Sequence, residues 1–563
     1  MIFPPVHDPA MPHSALPLIK SFLQRNSRHT ARCHDLNWEF FRNFVFAPDT
    51  TTRLRWHRQQ FAESSAAETG VQASLAFDAW IKEHCSEWAG EHLGYNVTFR
   101  NFSAPYDRRD PEAVRQFANL ASTPFDAVID AALDRMGPVV GINLSVEDQI
   151  LPAFRIASKI RLRYRGDSVI IWGGSLLSRI YPVVVSELPE FWDYLIIREG
   201  EVPLLSLLDS IESGIPTEPD DRLIAKGDPR CFDIVDPFVT TSVTAIEATG
   251  YSDFSDYSTS DYFSLLPMLP VLASRKCYWG KCSFCTIHES WDPLPRQRSA
   301  QSVVEEVQYL QQAHDIRCFR FVDEAMPPDL MDQMIPLLVP LDISFEIYAI
   351  AERRFRDRDF VARLGAAGCR QAYFGLESAD EAALMSMGKR INQVRHFDEI
   401  FGFCSSSGIH VYVYTLFGFP GSSDLAEQTT VNFIIREQSI QSATISSYVP
   451  VAGSPFAVDN PSLLMHSRRM TEDFESVTIG LSEKKLESVA QEAAQIACDI
   501  VYAARPDLAL TALLNDEIRF SLSAKFGSDF AFRSLASGVF DASKIRDAGD
   551  ATMRRERIRR RLE

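Results

Sequence analysis

The 563-residue chain contains no uninterrupted run of about 18 apolar residues, the length that a membrane-spanning helix requires. It also begins without a basic segment leading into an apolar one, so the sequence predicts a soluble, cytoplasmic protein with no signal peptide. Basic residues are in deficit, because 57 Lys and Arg stand against 75 Asp and Glu and give a net charge of −18. Such an acidic chain repels phosphate backbones and anionic lipids, and we therefore expect neither nucleic acid nor a membrane as its partner.

Cysteine is also scarce, since ten cysteines in a chain of this length are too few for a disulfide scaffold. Three of them are crowded into the segment Cys277-Tyr-Trp-Gly-Lys-Cys282-Ser-Phe-Cys285, which has the spacing C-x4-C-x2-C. The others are scattered, and most have apolar neighbours that predict buried thiols. The scattered cysteines are Cys33, Cys85, Cys231, Cys318, Cys369, Cys404 and Cys498.

The composition, with 46% hydrophobic and 23% charged residues, is that of a packed globular protein. Between residues 138 and 200 the pattern predicts strands at Pro138–Ser145, Asp167–Gly174 and Asp193–Arg198, with a helix over Val146–Tyr164. Strands that alternate with helices indicate a doubly wound, Rossmann-like parallel sheet, whose ligands bind beyond the carboxyl ends of the strands. An aromatic-rich, mostly helical insertion over about 38–130 interrupts this pattern.

A second α/β region follows a Gly-, Pro-, Asp- and Ser-rich stretch over about 213–262, which we interpret as an interdomain linker. Five or six strand–helix units then predict a complete or partial α/β barrel with its active site at the carboxyl ends of the strands. The helix over 302–313 carries a capping-box pattern at Ser302 and Glu305. The predicted strands are Cys318–Asp323, Ile343–Ala349, Gln371–Glu377, His410–Phe417 and Ala443–Pro450.

The remaining chain, from about residue 461, is predicted to be helical. In Ser482–Ala504 one face carries apolar residues that we expect to pack on the body of the protein, namely Leu486, Val489, Ala493, Ile496 and Ile500. The sequence therefore predicts an α/β protein with three parts: 1–240, 241–460 and 461–563.

Three thiolates on one short loop can converge on a single metal centre, and Gly280 would help so tight a loop to turn. Two chemistries fit this pattern. The cysteines could hold three irons of a four-iron cluster and leave the fourth iron open. Alternatively, His288 could complete a Cys3His zinc site. Phe284 favours the open cluster, because an aromatic ring at this position can pack on a bound adenine.

The loop resembles that of the radical SAM enzymes, whose usual spacing is C-x3-C-x2-C with an aromatic residue before the last cysteine. Further family motifs follow in the expected order over about 270–455. They are Phe321-Val322-Asp323-Glu324, Gly368-Cys369, Phe374-Gly375-Leu376-Glu377-Ser378, Met387-Gly388-Lys389 and Phe417-Gly418-Phe419-Pro420-Gly421. The residue pattern of the cysteine loop is similar to that of a subgroup with an N-terminal cobalamin-binding domain, which includes enzymes that mature ribosomally made peptides.

This resemblance implies a [4Fe-4S] cluster on Cys277, Cys282 and Cys285, with SAM chelated at the open iron. The resemblance also implies which residues contact SAM. Phe284 would lie by the adenine, and Glu377, with Ser378 in the same motif, would reach the ribose or amino group. Gly418 and Gly421 would offer backbone at close approach, and Arg353 could hold the carboxylate. Alternatives remain open for some of them. Glu377 could be a strand-end carboxylate paired with an arginine, Arg353 could be solvated or salt-bridged, and Asp323 could be a site residue or a helix cap.

Three predicted loops at strand ends resemble those of cobalamin-binding domains in this class. Two adjacent glycines let backbone amides approach a ligand closely, although Gly-Gly is also an ordinary strand-to-helix turn. No Asp-x-His-x-x-Gly motif occurs, so no histidine is marked as the lower ligand of cobalt. The loop residues that this resemblance assigns to cobalamin are Ser145, Gly173, Gly174, Ser175, Glu199 and Gly200.

The resemblance implies a cobalamin-dependent radical SAM enzyme that cleaves SAM reductively to a 5′-deoxyadenosyl radical and methylates an unactivated carbon. Its partners would be a small-molecule or peptide substrate and an external electron donor. We find no convincing nucleophile–base motif that would suggest other chemistry. Two alternatives stay open: a radical rearrangement or cyclisation without methyl transfer, and a zinc-stabilised binding protein.

Overall fold

The computed structural model describes residues 1–46, 49–165, 167–216, 220–228, 246–287, 294–451, 454–460 and 481–540, with backbone only for 481–488. His288 and Cys231 lie outside these ranges. Within them, every helix is too short or too polar to cross a lipid bilayer.

A six-stranded sheet organises the N-terminal part of the chain. Its spatial order is β2-β1-β3-β4-β5-β6, with parallel pairing throughout except for the antiparallel edge strand β6. This confirms the predicted doubly wound sheet, and its order reverses between β1 and β3, where such sheets open a ligand crevice. The strands are β1 (Ile2–Phe3), β2 (His34–Asp35), β3 (Val139–Asn143), β4 (Val169–Gly173), β5 (Tyr194–Ile196) and β6 (Leu223–Ala225).

Helices cover this sheet and form the insertion after β2. The insertion is helical and aromatic-rich, as predicted, and its rings pack edge-on or tilted in one cluster around Phe46 and Trp80. The helices are α1 (Ala15–Asn26), α2 (Leu36–Phe40), α3 (Thr50–Glu63), α4 (Ala67–Glu91), α5 (Pro111–Ala118), α6 (Asp126–Leu133), α7 (Ile150–Tyr164), α8 (Leu177–Glu187) and α9 (Glu201–Ser213).

A second sheet has six parallel strands in chain order, β7 to β12. No residue in the described part of β7 pairs with β12, so the barrel is partial and open. The strands are β7 (Met268–Val271), β8 (Cys318–Phe321), β9 (Ser344–Ala349), β10 (Cys369–Glu377), β11 (His410–Phe417) and β12 (Ser442–Ser447). The helices are α10 (Ala300–His314), α11 (Pro328–Leu338), α12 (Arg358–Ala366), α13 (Glu381–Ser386), α14 (Phe397–Ser406), α15 (Asp424–Arg436) and α16 (Pro455–Asp459).

The described parts of the stretch over 213–262, which we interpret as an interdomain linker, pack against the body of the protein. Residues 223–225 form the edge strand β6, and Phe254 and Tyr262 are almost fully buried. Turn-forming residues in this stretch alternate with aromatic rings that reach the core.

The predicted capping box at Ser302 and Glu305 is wrong. Helix α10 begins at Ala300, and the Ser299 side chain caps it by accepting a hydrogen bond of 3.2 Å from the Ser302 backbone N–H. Ser302 therefore lies in the first turn, while Glu305 accepts from the Tyr251 hydroxyl at 2.6 Å. Ser299 and Ser302 are both suitable N-cap residues, and the sequence alone did not show which of them caps the helix.

The C-terminal region is helical over 481–540 and packs against both the barrel and the insertion. Its helices are α17 (Leu481–Ala504), α18 (Pro506–Ala512), α19 (Asp516–Phe526) and α20 (Phe530–Ala536). The predicted buried face of α17 is wrong, because Val489, Ile496 and Ile500 are exposed. The face that packs on the barrel is instead made mainly of small residues, which allow close approach: Ala490, Ala494, Ala497, Cys498 and Val501.

This correction can be tested on two neighbouring residues. We expect Val501→Ala to lower the free energy of unfolding by about 2 kcal/mol, because it removes two methyl groups from a fully buried site. Ile500→Ala, its matched control on the exposed face, should change that free energy by less than about 0.5 kcal/mol. Urea denaturation measures both, and a larger loss for Ile500→Ala would contradict the observed packing.

Candidate active site

A cavity of about 1870 Å³ separates the two sheets. The carboxyl ends of the N-terminal strands line one side through the loops that contain Ser145, Gly174 and Gly200. The barrel lines the other side through residues such as Val322 and Tyr348. Small-ligand pockets usually measure about 300–1,000 Å³, so this cavity has room for more than one small molecule.

The cysteine loop lies beside this cavity. An antiparallel pair, Ser274–Arg275 with Arg296–Gln297, closes its base, and Arg275 lines the cavity. Cys277, Cys282 and Cys285 are half-buried and form no disulfide. Burial raises the pKa of Cys282 to about 12 and also raises that of Cys285. In this setting a bound cation is what would hold the sulfurs as thiolates.

The barrel holds the loop through its own backbone. The Ser283 N–H donates to the Met387 carbonyl at 2.9 Å, and the Trp279 indole N–H donates to the Gly388 carbonyl at 3.1 Å. Gly388 has φ +69°, and a Cβ atom there would overlap the Lys281 carbonyl oxygen. Gly280 also adopts a left-handed φ of +58°, which confirms the turn expected there.

Glu377 forms an ion pair of 2.7 Å with Lys389, and both side chains are largely buried. Burial alone would lower the pKa of Lys389, but the negative charge of Glu377 raises it above its ordinary value. The partner of Glu377 is therefore a lysine beside the cysteine loop and not an arginine. Lys389 is a residue that the sequence assigned only to a motif, without a role.

The other residues expected to contact SAM lie in different settings. Ser378 is buried, lies 3.1 Å from the Thr430 hydroxyl, and accepts from the Asp380 N–H. Arg353 is exposed in the short helix after β9 and is not among the residues that line the cavity. Asp323 is neither a helix cap nor a cavity-lining residue, because it accepts from the Ser274 hydroxyl at 2.5 Å and is almost fully buried.

The two glycines after β11 differ in what surrounds them. Gly418 has φ +73°, its N–H donates to Glu427 at 2.7 Å, and a Cβ atom there would overlap Ala490 of α17. Its close approach is therefore to a helix of this chain. Gly421 has φ +99° with only Ser386 nearby, and Phe284 lies edge-on to Phe419 with ring centres 6.5 Å apart.

On the N-terminal side, the glycine pair is divided between two roles. Gly174 has φ +112°, and a Cβ atom there would overlap the backbone of Leu144, so this glycine is required by the turn. A Cβ atom at Gly173 would make only an ordinary contact, 3.8 Å from the Ile196 carbonyl oxygen. The Ser145 hydroxyl donates to the Asn143 side chain at 2.6 Å, and the exposed Ser175 hydroxyl donates to the Ser145 carbonyl at 3.3 Å.

Glu199 is among the residues that line the cavity, but its side chain is buried. Its carboxylate binds Arg296 and lies 3.2 Å from Arg275, while Arg275 also binds Glu201. Burial would raise the pKa of Glu201, but the charge and hydrogen bond of Arg275 hold it below its ordinary value. Sequence reasoning missed both arginines. Their signal is their position, since one stands just before and the other after the cysteine loop.

Comparison with known proteins agrees with this geometry. Residues 271–434 match the model of the radical SAM superfamily, and this part of the chain is a radical SAM domain. An uncharacterized methyltransferase of Pyrococcus horikoshii is 24% identical over 344 residues, which is 59% of this chain and 72% of that protein.

Solved structures extend the likeness to both domains. TsrM from Kitasatospora setae, a radical S-adenosylmethionine methyltransferase solved with cobalamin and a [4Fe-4S] cluster, matches with a TM-score of 0.54 and 15% identity, covering 97% of this chain and 98% of TsrM. OxsB, a cobalamin-dependent S-adenosylmethionine radical enzyme, matches with a TM-score of 0.52 and 14% identity over 70% of this chain and 63% of OxsB. At these identities the likeness establishes the fold, with its N-terminal sheet and partial barrel.

Asp323 gives the domain a measurable pH dependence. Burial raises its pKa from 3.8 to about 7, so the folded protein keeps a proton that the unfolded chain releases above about pH 4. The free energy of unfolding should therefore fall by about 1.4 kcal/mol per pH unit between pH 4 and pH 7 because of this group. In Asp323→Asn this contribution should vanish, whereas the exposed control Asp342→Asn should keep it. Equal slopes in both variants, measured by denaturation at several pH values, would contradict the assignment.

Proposed function

We propose that this protein is a cobalamin-dependent radical SAM enzyme that methylates an unactivated carbon of a small-molecule or peptide substrate, with electrons from an external donor. One observation carries the proposal. A single large cavity is lined on one side by the strand-end loops of the doubly wound sheet and on the other by residues of the barrel, and it extends to Arg275 at the base of the cysteine loop.

The cavity fits a corrin on the N-terminal side. Gly141 and Gly173 place no side chain on β3 and β4 where these strands line the cavity. The cavity continues between the sheet and helices α1 and α9 along an apolar wall that includes Ile171, Ile196 and Leu204. A planar macrocycle with an extended tail needs both a flat rim and a deep apolar channel, and these residues would supply them.

The cysteine loop fits a cluster with an open iron. Its three thiols come from one loop that the barrel holds through the backbone of Met387 and Gly388, and the Lys389 ammonium lies close to Cys282. When bound, the cluster supplies the electron that cleaves SAM, and cobalamin carries the methyl group. The protein's own part is to hold these groups on facing walls and to keep water out of the space between them.

Metal content decides between the proposed function and its alternatives. Protein purified without oxygen from cells supplied with cobalamin should contain about four Fe and one Co per chain if both sites are filled. Zinc in place of iron would instead support a binding protein with a structural metal.

Product analysis separates the enzyme classes, since methyl transfer yields S-adenosylhomocysteine together with a methylated product, and a rearrangement or cyclisation does not.

Cys282→Ala should abolish formation of 5′-deoxyadenosine from SAM in the presence of a reductant, because the loop then has two thiolate ligands and cannot hold the cluster. Cys318→Ala, which replaces a buried thiol in β8, is the matched control and should retain the activity. Chromatography of 5′-deoxyadenosine measures both variants. A Cys282→Ala variant that still forms 5′-deoxyadenosine would contradict the proposed mechanism.

A further inference from the structure

The N-terminal domain and the cysteine loop share one buried group of four charges, which we call the glutamate–arginine clamp: Glu199, Glu201, Arg275 and Arg296. The side chains of Glu199, Glu201 and Arg275 are at most 5% exposed, and that of Arg296 is 13% exposed. The two glutamates come from the turn after β5 and the first residue of α9. The two arginines come from the strands at the base of the cysteine loop.

The register of the short ladder makes this clamp necessary. Arg275 pairs directly with Arg296 in the antiparallel pair whose two strands stand before and after the cysteine segment. Like charges at directly opposed positions destabilise an antiparallel pair. Glu199 contacts both guanidinium groups and Glu201 contacts one of them, so within the clamp, among the described residues, two negative charges balance two positive charges. Removing one glutamate would leave a buried excess of positive charge at the base of the loop.

A second contact joins the same two parts at the other end of the cysteine segment. Arg179 of α8 donates to the Thr286 hydroxyl at 3.0 Å, and Thr286 directly follows Cys285. The N-terminal domain therefore touches the cysteine loop just before its first thiol and just after its last. These contacts come from the domain whose loops line the opposite wall of the cavity.

We infer that Glu199 and Glu201 are positioning residues for the metal-binding loop, and that Glu199 is not a cobalamin contact. The inference rests on the proposed function for the identity of the bound groups, although the clamp itself consists only of residues of this chain. Substitutions outside the direct ligands of a metal commonly change its affinity by about 10–100-fold. The clamp should act in this way, through the shape of the loop.

The test compares iron retention with cobalamin affinity in the full-length, reconstituted protein. Iron release to bathophenanthroline disulfonate should be about tenfold faster in Glu199→Gln than in the wild type, since the loop loses its balanced base. Affinity for hydroxocobalamin, followed by absorbance titration, should stay within about twofold. Glu83→Gln is the matched control, because Glu83 is exposed on α4, lies outside the clamp and is not among the residues that line the cavity.

A double substitution separates the electrostatic argument from a general loss of folding. Glu199→Gln with Arg296→Gln leaves one arginine and one glutamate, so charge balance returns and iron release should slow to near the wild-type rate. Glu201→Gln should resemble Glu199→Gln and provides a second measurement if Glu199→Gln does not fold. Circular dichroism establishes folding for each variant.

Several outcomes would overturn the inference. Weaker cobalamin binding with unchanged iron release would make Glu199 a cofactor contact, and unchanged values for both would show that the clamp does not position the loop. A double variant that releases iron as fast as the single one would refute the charge-balance argument. Wild-type protein with iron but no cobalamin would contradict the proposed function while the iron comparison still applies. If the loop holds zinc, zinc release to 4-(2-pyridylazo)resorcinol replaces the iron assay, because bathophenanthroline disulfonate forms its coloured complex with Fe(II).

Discussion

The arrangement of this protein depends on one electrostatic constraint: two arginines face each other at the base of the cysteine loop and need carboxylates from another domain. Buried charges are tolerated only when they are paired, and here Glu199 and Glu201 supply the pairing. Three features therefore meet at these four side chains: the base of the cysteine loop, the edge of the large cavity and a contact between the two α/β parts of the chain.

Much of the fold was predictable because strand periodicity is a strong signal. The boundaries of β11 agree with the sequence to the residue, and those of β3, β4 and β8 agree to within two residues. The prediction of the buried face of α17 was wrong because its large apolar residues are on the exposed face, while alanines fill the interface. Sequence patterns weight side chains by hydrophobicity, but close helix packing against Gly418 requires small ones.

The site shows a similar division. The prediction of a metal site on Cys277, Cys282 and Cys285 rests on their spacing, because ligands that lie close in sequence carry their own signal. Glu199 and Arg275 are 76 positions apart, and only the folded chain brings them together. The pairing of Glu377 with Lys389 was closer in sequence, yet the motif alone did not show which cation would meet the carboxylate.

The open barrel also bears on where this chain can be cut. The segment that matches the radical SAM model, 271–434, begins at the last residue of β7 and ends before β12. Expressed alone, it would lack both edge strands, expose backbone donors and acceptors on each side of the sheet, and lose the helix that packs against Gly418. Such edges pair readily with other chains. The segment that identifies the family is therefore shorter than the segment that we expect to fold on its own.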